Sequence, residues 1–312
     1  MFGNLKLNKR LIDRRAATKA RPALFLFLLA FALLPFAASF AADNSGCEMM
    51  PLPPELGKGL FPLHYSLPEK LASDSPVLFV CHGVKRNPEK YLKEWRKYAA
   101  ELGAVLVAPG FLPEEFPKGR DYNQGRVVAP DKKTLNPSTT WTFNVIELAF
   151  SHIKAKFGLN AEKYMIFGHS AGGQFVHRLM IFLPRCSAGL AIAANPGSLT
   201  FLSSSDRYPY GMPALPDAES QIRVAMQRPL VLLLGKEDTD PNHKYLENSR
   251  LAKKQGAFRL ERGRNFFADA QNFALQHKMD IKWQKHEVDG VAHSNRGMAK
   301  AAFALFKAHL GK

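Results

Sequence analysis

At 312 residues, 46% hydrophobic and 22% charged, the chain is long enough for one large globular domain and too apolar for wholesale disorder. Its formal net charge of +16 raises nucleic acid or an anionic membrane as partners. Six of those sixteen charges come from residues 1–41, where Lys6, Lys9, Arg10, Arg14, Arg15, Lys19 and Arg21 face Asp13 alone. The remaining basic residues are scattered among acidic ones and do not interleave with aromatics, so a generally basic surface is expected and no nucleic-acid interface.

The N-terminal segment has the layout of a secretory signal. A basic region to Arg21 precedes an apolar run from Ala23 to Phe40, with small residues Ser39, Ala41 and Ala42 before the polar stretch Asp43 to Gly46. Cleavage is expected after Ala41, giving a signal peptide over 1–41 and an exported protein, periplasmic or secreted. An uncleaved anchor is the rival reading; Pro35 inside the run and the small-residue exit favour cleavage, which leaves no stable membrane span. Arg14-Arg15 only hints at twin-arginine export, and Cys47 lacks the apolar residue three positions earlier that a lipoprotein signal carries. The three cysteines make no disulfide framework. One pair stays open in an oxidising compartment, Cys47 with Cys186 being favoured, while Cys81 reads as a small buried thiol.

Residues 42–62 contain the Pro-rich stretch Met50 to Pro62 and read as an extended lead-in. A single domain is expected over 63–312, with no internal repeat. His64 to Leu67 is a candidate early antiparallel strand. Strand-length apolar runs follow at Val77 to Cys81, Ala104 to Ala108, Tyr164 to Phe167, Gly189 to Ala194, Pro229 to Leu234 and Ile281 to Val288. Helical periodicity falls between them at Pro88 to Leu102, Thr139 to Phe157, Gly172 to Leu183, Arg264 to Lys278 and Ser294 to Leu310. Strands alternating with helices predict an α/β fold with a mostly parallel sheet covered on both faces.

The strongest local signal is Tyr164 to Gly173, YMIFGHSAGG: a strand, then G-x-S-x-G, then a helix. A serine held on a sharp strand-to-helix turn has strained backbone angles, and Gly168 and Gly172 leave room for the close approach of neighbouring chain. This spelling, its context and the order of elements resemble the α/β-hydrolase superfamily over roughly residues 60 to 312, in particular its esterases and polyester-depolymerase-like enzymes. The resemblance implies the α/β-hydrolase fold and a serine hydrolase with no cofactor and no metal, acting on a small or polymeric ester. Ser170 is then the nucleophile.

A serine hydroxyl needs a base, and the base needs an acid. The superfamily order is serine, acid, histidine. Leu230 to Gly235 reads as a buried strand, and the third position after its glycine is Asp238; Asp240 is the alternative, its other role being to cap the turn at Pro241. His293 lies on the loop between the last strand and last helix, where the family carries its base. His177 falls within a helix, His243 follows the acid loop, and His169 is expected to pack beneath the turn. The oxyanion donors are expected to be the N–H groups of Ala171 and Val84. The latter sits in His82-Gly83-Val84, which departs from the His-Gly-Gly-Gly form of many esterases.

No His-Glu-x-x-His, Cys-x-x-Cys or phosphate-cradling glycine motif occurs. Lys85 and Arg86, beside the oxyanion loop, read as solvated charges, with attraction of an anionic substrate as the alternative. Residues 195–216, rich in Pro, Ser and Tyr, form a candidate lid, with Trp141, Tyr208 and Tyr210 lining the pocket beneath it or serving as ordinary core and surface aromatics. The expected reaction is ester hydrolysis through an acyl-enzyme. A peptidase or amidase of the same fold and a non-catalytic binding protein are the alternatives, and nothing in the sequence sets an oligomeric state.

Overall fold

A computed structural model describes residues 44–312; the segment 1–41 expected as a signal peptide lies outside them. Eight strands form one sheet in the order β1-β2-β4-β3-β5-β6-β7-β8. They are β1 (Ser45–Pro51), β2 (Leu60–Ser66), β3 (Val77–Cys81), β4 (Val105–Pro109), β5 (Tyr164–His169), β6 (Ala188–Ala194), β7 (Leu230–Gly235) and β8 (Gln284–Val288). β1 and β2 pair antiparallel, β2 joins β4 antiparallel, and every pairing from β4 to β8 is parallel. Parallel strands need long crossovers, and the helices supply them. These are α1 (Pro88–Leu102), α2 (Asn144–Phe157), α3 (Ala171–Phe182), α4 (Ala218–Met226), α5 (Arg250–Lys254), α6 (Arg259–Gln276) and α7 (Asn295–His309).

The apolar runs are continuous because both sheet faces are covered. Val77, Phe79 and Cys81 of β3 enter the core that also holds α2, α3 and α6, while Leu78 and Val80 enter the one under α1 and α7. β5 and β7 alternate in the same way: Ile166 and Leu232 face the first core, Phe167 and Leu233 the second. α1 begins on Pro88 and stops at Gly103, whose φ of 64° is a left-handed cap. Its buried Trp95 packs against Phe167 at 4.5 Å and Phe306 at 6.1 Å between ring centroids.

Two expectations change. The stretch at 42–62 is no mere lead-in: it carries β1 and the start of β2, with Met50, Leu56 and Phe61 buried in the core. Prolines and a broken alternation hid the strands. α6 starts at Arg259 rather than Arg264, because Arg259 and Arg262 lie on its buried side with Phe266 and interrupt the apolar pattern with charge. Among the described residues no helix is long and apolar enough to cross a membrane.

All three cysteines are free. The favoured Cys47–Cys186 pair is excluded by topology: β1 and the entry to β6 lie five strand positions apart. At about 4.8 Å per position that is roughly 24 Å, against about 7 Å for a disulfide.

Candidate active site

Ser170 stands between β5 and α3 with φ 60° and ψ −116°, a strained conformation for a non-glycine residue. The strain is held by close packing. A Cβ on Gly168 would lie 2.1 Å from the Gly172 carbonyl oxygen, and one on Gly172 would lie 2.1 Å from that of Cys81. The Ser170 N–H donates to the Ala194 carbonyl at 2.9 Å, fixing the turn to β6. The first amides of α3, beginning with Ala171, have no acceptor within their own helix.

His293 comes from the loop between β8 and α7, where Ser294 caps α7 by accepting the Gly297 N–H at 3.2 Å. Asn195, at the end of β6, sets the height of that loop. Its Oδ1 accepts the Gly235 N–H at 2.8 Å, and its Nδ2 donates to the Ala292 carbonyl at 3.2 Å. The end of β7 and the histidine loop are thus tied to one side chain.

Three predicted residues meet here. The Ser170 hydroxyl lies 3.0 Å from His293 Nε2, and His293 Nδ1 lies 2.7 Å from Asp238 Oδ2. An ionised carboxylate only accepts, so Nδ1 carries the proton and Nε2 keeps a lone pair facing the serine. Asp238 is buried at 3% exposure, and its other oxygen accepts from Arg259 Nη1 at 3.1 Å. Asp240 is exposed and caps its own turn, accepting the Asn242 N–H at 2.8 Å.

The loop after β3 comes against the serine: a Cβ on Gly83 would meet the Ser170 Cβ at 3.6 Å and the Tyr91 hydroxyl at 2.9 Å. The Val84 N–H donates to no described residue. Tyr91 Oη pairs with His169 Nδ1 at 3.3 Å, linking α1 to the residue before the serine. His82 is buried beneath it, Nδ1 against the Gly83 carbonyl at 3.1 Å, while the Tyr122 hydroxyl donates to the His82 carbonyl at 2.7 Å. Arg86 is no solvated charge. It donates to the Phe111 carbonyl at 2.6 Å and stacks over Tyr122 at 4.4 Å, clamping the loop. Lys85 faces the cleft.

That cleft has a volume of about 280 Å³ and joins Val84, Lys85, Ser170 and His293 with His243, Tyr245 and Arg296. The segment expected as a lid does not line it. Buried Arg178 donates to Thr200 Oγ1 at 3.0 Å and the Pro209 carbonyl at 3.3 Å, while Gln255 bonds the Leu199 N–H and carbonyl at 3.0 and 2.6 Å. These bonds bolt the segment to the body. Trp141 packs on Phe182, Tyr208 donates to the Gln124 carbonyl at 2.5 Å, and Tyr210 borders a separate cavity of about 630 Å³.

Burial also sets the charge of three histidines. It pushes His82 down to about 3, and holds His169 and His177 well below the ordinary imidazole value. A depressed histidine stays neutral in the fold while the unfolded chain takes up a proton below about pH 6.5, so stability falls as pH falls through that window. His82 alone is expected to cost about 2 kcal/mol between pH 7.5 and pH 5, with the other two adding in the same direction. Urea denaturation at the two pH values checks this; an unchanged midpoint contradicts it.

The chain aligns with poly(aspartic acid) hydrolase-1 from Sphingomonas sp. KT-1 at 33% identity and a TM-score of 0.80, over 84% of this chain and 98% of that one. The chain belongs to the α/β-hydrolase superfamily of serine hydrolases. A poly(3-hydroxybutyrate) depolymerase from Bordetella parapertussis matches this hydrolase at 30% identity and a TM-score of 0.75, over 81% of this chain and 85% of that one. An S-formylglutathione hydrolase from Agrobacterium tumefaciens shares the fold at 19% identity, with a TM-score of 0.55 over 86% and 96% of the two chains. No family model matches the hydrolase, and no curated protein matches it in sequence.

Sequence reasoning did not single out Arg259, Asn195 or His243 as parts of this hydrolase's site. Arg259 left one trace, a charge at helical spacing on the apolar stripe of α6. His243 left only its place after the acid loop, and Asn195 left none, since its partners Gly235 and Ala292 come from distant parts of the chain.

Proposed function

We propose that the protein hydrolyses carboxylic esters through an acyl-enzyme on Ser170. The observation carrying this reading is the unbroken chain of hydrogen bonds from the Ser170 hydroxyl through His293 to buried Asp238. His293 Nε2 takes the hydroxyl proton as Oγ attacks the ester carbonyl carbon. The N–H groups of Ala171 and Val84 receive the oxygen that becomes negative in the tetrahedral intermediate. Its collapse breaks the bond to the alcohol oxygen, which leaves with the proton from His293. Water then attacks the acyl carbon, gives its proton to His293, and the acid departs as the proton returns to Ser170. Asp238 holds the tautomer throughout.

The substrate is a small or polymeric ester, the polymeric form being supported by the depolymerase relative. A second reading, cleavage of amides in an acidic chain, is favoured by the cleft rim, where Lys85, Lys90 and Arg296 face Glu94 alone, and by the poly(aspartic acid) relative. p-Nitrophenyl esters assayed beside acidic peptide anilides separate the two. Export rests on the sequence of residues 1–41 and places the work in the periplasm or outside the cell.

Incubation with a fluorophosphonate, followed by peptide mass spectrometry, tests the nucleophile. A single adduct on Ser170 is expected. A folded protein that takes up no label would favour a binding protein on a hydrolase scaffold.

A further inference from the structure

The reaction scheme leaves His243 without a task, although its ring lies 5.0 Å from that of His293 and lines the same cleft as Ser170. Its Nδ1 receives two hydrogen bonds, from Arg259 Nη2 at 3.1 Å and from the Tyr245 N–H at 3.2 Å. Guanidinium and backbone N–H groups only donate, so Nδ1 must hold a lone pair and the ring proton must sit on Nε2. Nε2 has no hydrogen-bond partner among the described residues.

The charged surroundings favour the same state. Burial opposes a positive charge on His243 first, Arg259 and His293 oppose it too, and Asp238 and Asp240 favour one. Lys244 and Lys85 stand over the neighbouring Tyr245 ring at 4.9 and 5.8 Å. Of the two carboxylates, Asp238 is already occupied by His293 and Arg259, and Asp240 by its turn. Protonating Nδ1 would break both of its hydrogen bonds and set a second cation beside Arg259. A neutral ring with a free N–H at the cleft results.

We propose that His243 is a substrate-binding residue whose Nε2–H donates to an oxygen acceptor beside the scissile bond, with Arg259 as the positioning residue that fixes its tautomer. This rests on the reading of Ser170 and His293 as the reacting pair. The substrate class it selects has a second carbonyl or carboxylate oxygen a few bonds from the one attacked. A chain of repeating ester or amide units carries such an oxygen in every unit, whereas a simple alkyl ester has none. Arg259 also grips Asp238, so one guanidinium aligns the acid and the substrate donor together.

The test compares wild type, His243→Phe and His243→Gln on three esters: p-nitrophenyl butyrate, p-nitrophenyl 3-acetoxybutyrate, and the butyrate ester of methyl 3-hydroxybutyrate. The second and third add an acceptor on the acyl and alcohol sides. One lost hydrogen bond is worth about tenfold. His243→Phe is therefore expected to lower kcat/KM on at least one acceptor-bearing ester about tenfold more than on p-nitrophenyl butyrate, mainly through KM. Glutamine, whose amide reaches the Nε2 position, is expected to restore most of the difference. Equal losses on all three esters overturn the binding role.

Long-range ¹H–¹⁵N spectra of histidine-labelled protein read the tautomer without turnover. Wild-type His243 is expected as the Nε2–H form from pH 6 to 8, and a mixture is expected in Arg259→Met or, should that variant not fold, in Arg259→Lys. A wild-type Nδ1–H or doubly protonated ring, or a variant with unchanged tautomer, overturns the Arg259 role. Fluorophosphonate labelling is run alongside: no adduct on wild-type Ser170 is a failure of the hydrolase mechanism, whereas an adduct with a flat ester ratio is a failure of this proposal alone.

Discussion

Ser170→Ala is expected to lower ester turnover by about 10⁶-fold, the scale on which serine hydrolases of unrelated fold lose activity when the nucleophile goes. The hydroxyl is the group at the turn held 3.0 Å from His293 Nε2, the base that would activate it to form the acyl bond. Folding should survive. Alanine keeps the Cβ that Gly83 already accommodates, and Ser170 is held by its backbone bond to Ala194 rather than by its side chain. The thermal midpoint is expected to stay within about 3 °C of the parent. A folded variant retaining more than about a thousandth of the parent rate would remove Ser170 from the mechanism.

Asp238→Asn is expected to cost about 10³–10⁴ in turnover. The reason is an orientation imposed by Arg259. Its guanidinium only donates, so the new amide must turn its oxygen toward Arg259 and its NH₂ toward His293. Nδ1 then becomes an acceptor, the imidazole proton moves to Nε2, and the lone pair facing Ser170 is lost. Some stability goes as well, because buried Arg259 loses its counter-charge. Asp240→Asn changes only an exposed turn cap and is expected to stay within about threefold of the parent rate. Kinetics of the two variants well below their thermal midpoints decide the acid, and comparable losses at both positions would contradict its assignment to Asp238.

Elements whose signals are local were legible in the sequence. Runs such as Leu230 to Gly235 read as buried strands because both faces of the sheet are covered, and α1 announced its limits through Pro88 and Gly103. Ser170 was legible because a strained turn demands glycine at two fixed offsets. The candidates Asp238 and His293 followed from the order of elements; His293 lies within hydrogen-bond distance of Ser170, and Asp238 of His293. What stayed hidden depends on contacts across the chain. Among the described residues β1 is an outer strand with one flank unpaired, so its pattern is weak. The composition of residues 195–216 announces a loop, but only buried Arg178 and Gln255 decide that the loop is bolted down. Arg259 broke the very periodicity used to find its helix.

Helix α7 docks beside α1, with Phe306 against Trp95 and the Asn295 amide donating to Glu94. The loop bearing His293 is therefore placed by a late segment settling on an early one. While the chain is being synthesised from its N-terminus, the hydroxyl of Ser170 emerges well before the imidazole that would activate it. On the proposed mechanism a ribosome-bound chain still lacking His293 would be chemically silent toward the cell's own acyl compounds, and hydrolytic power would arrive only with the completed fold.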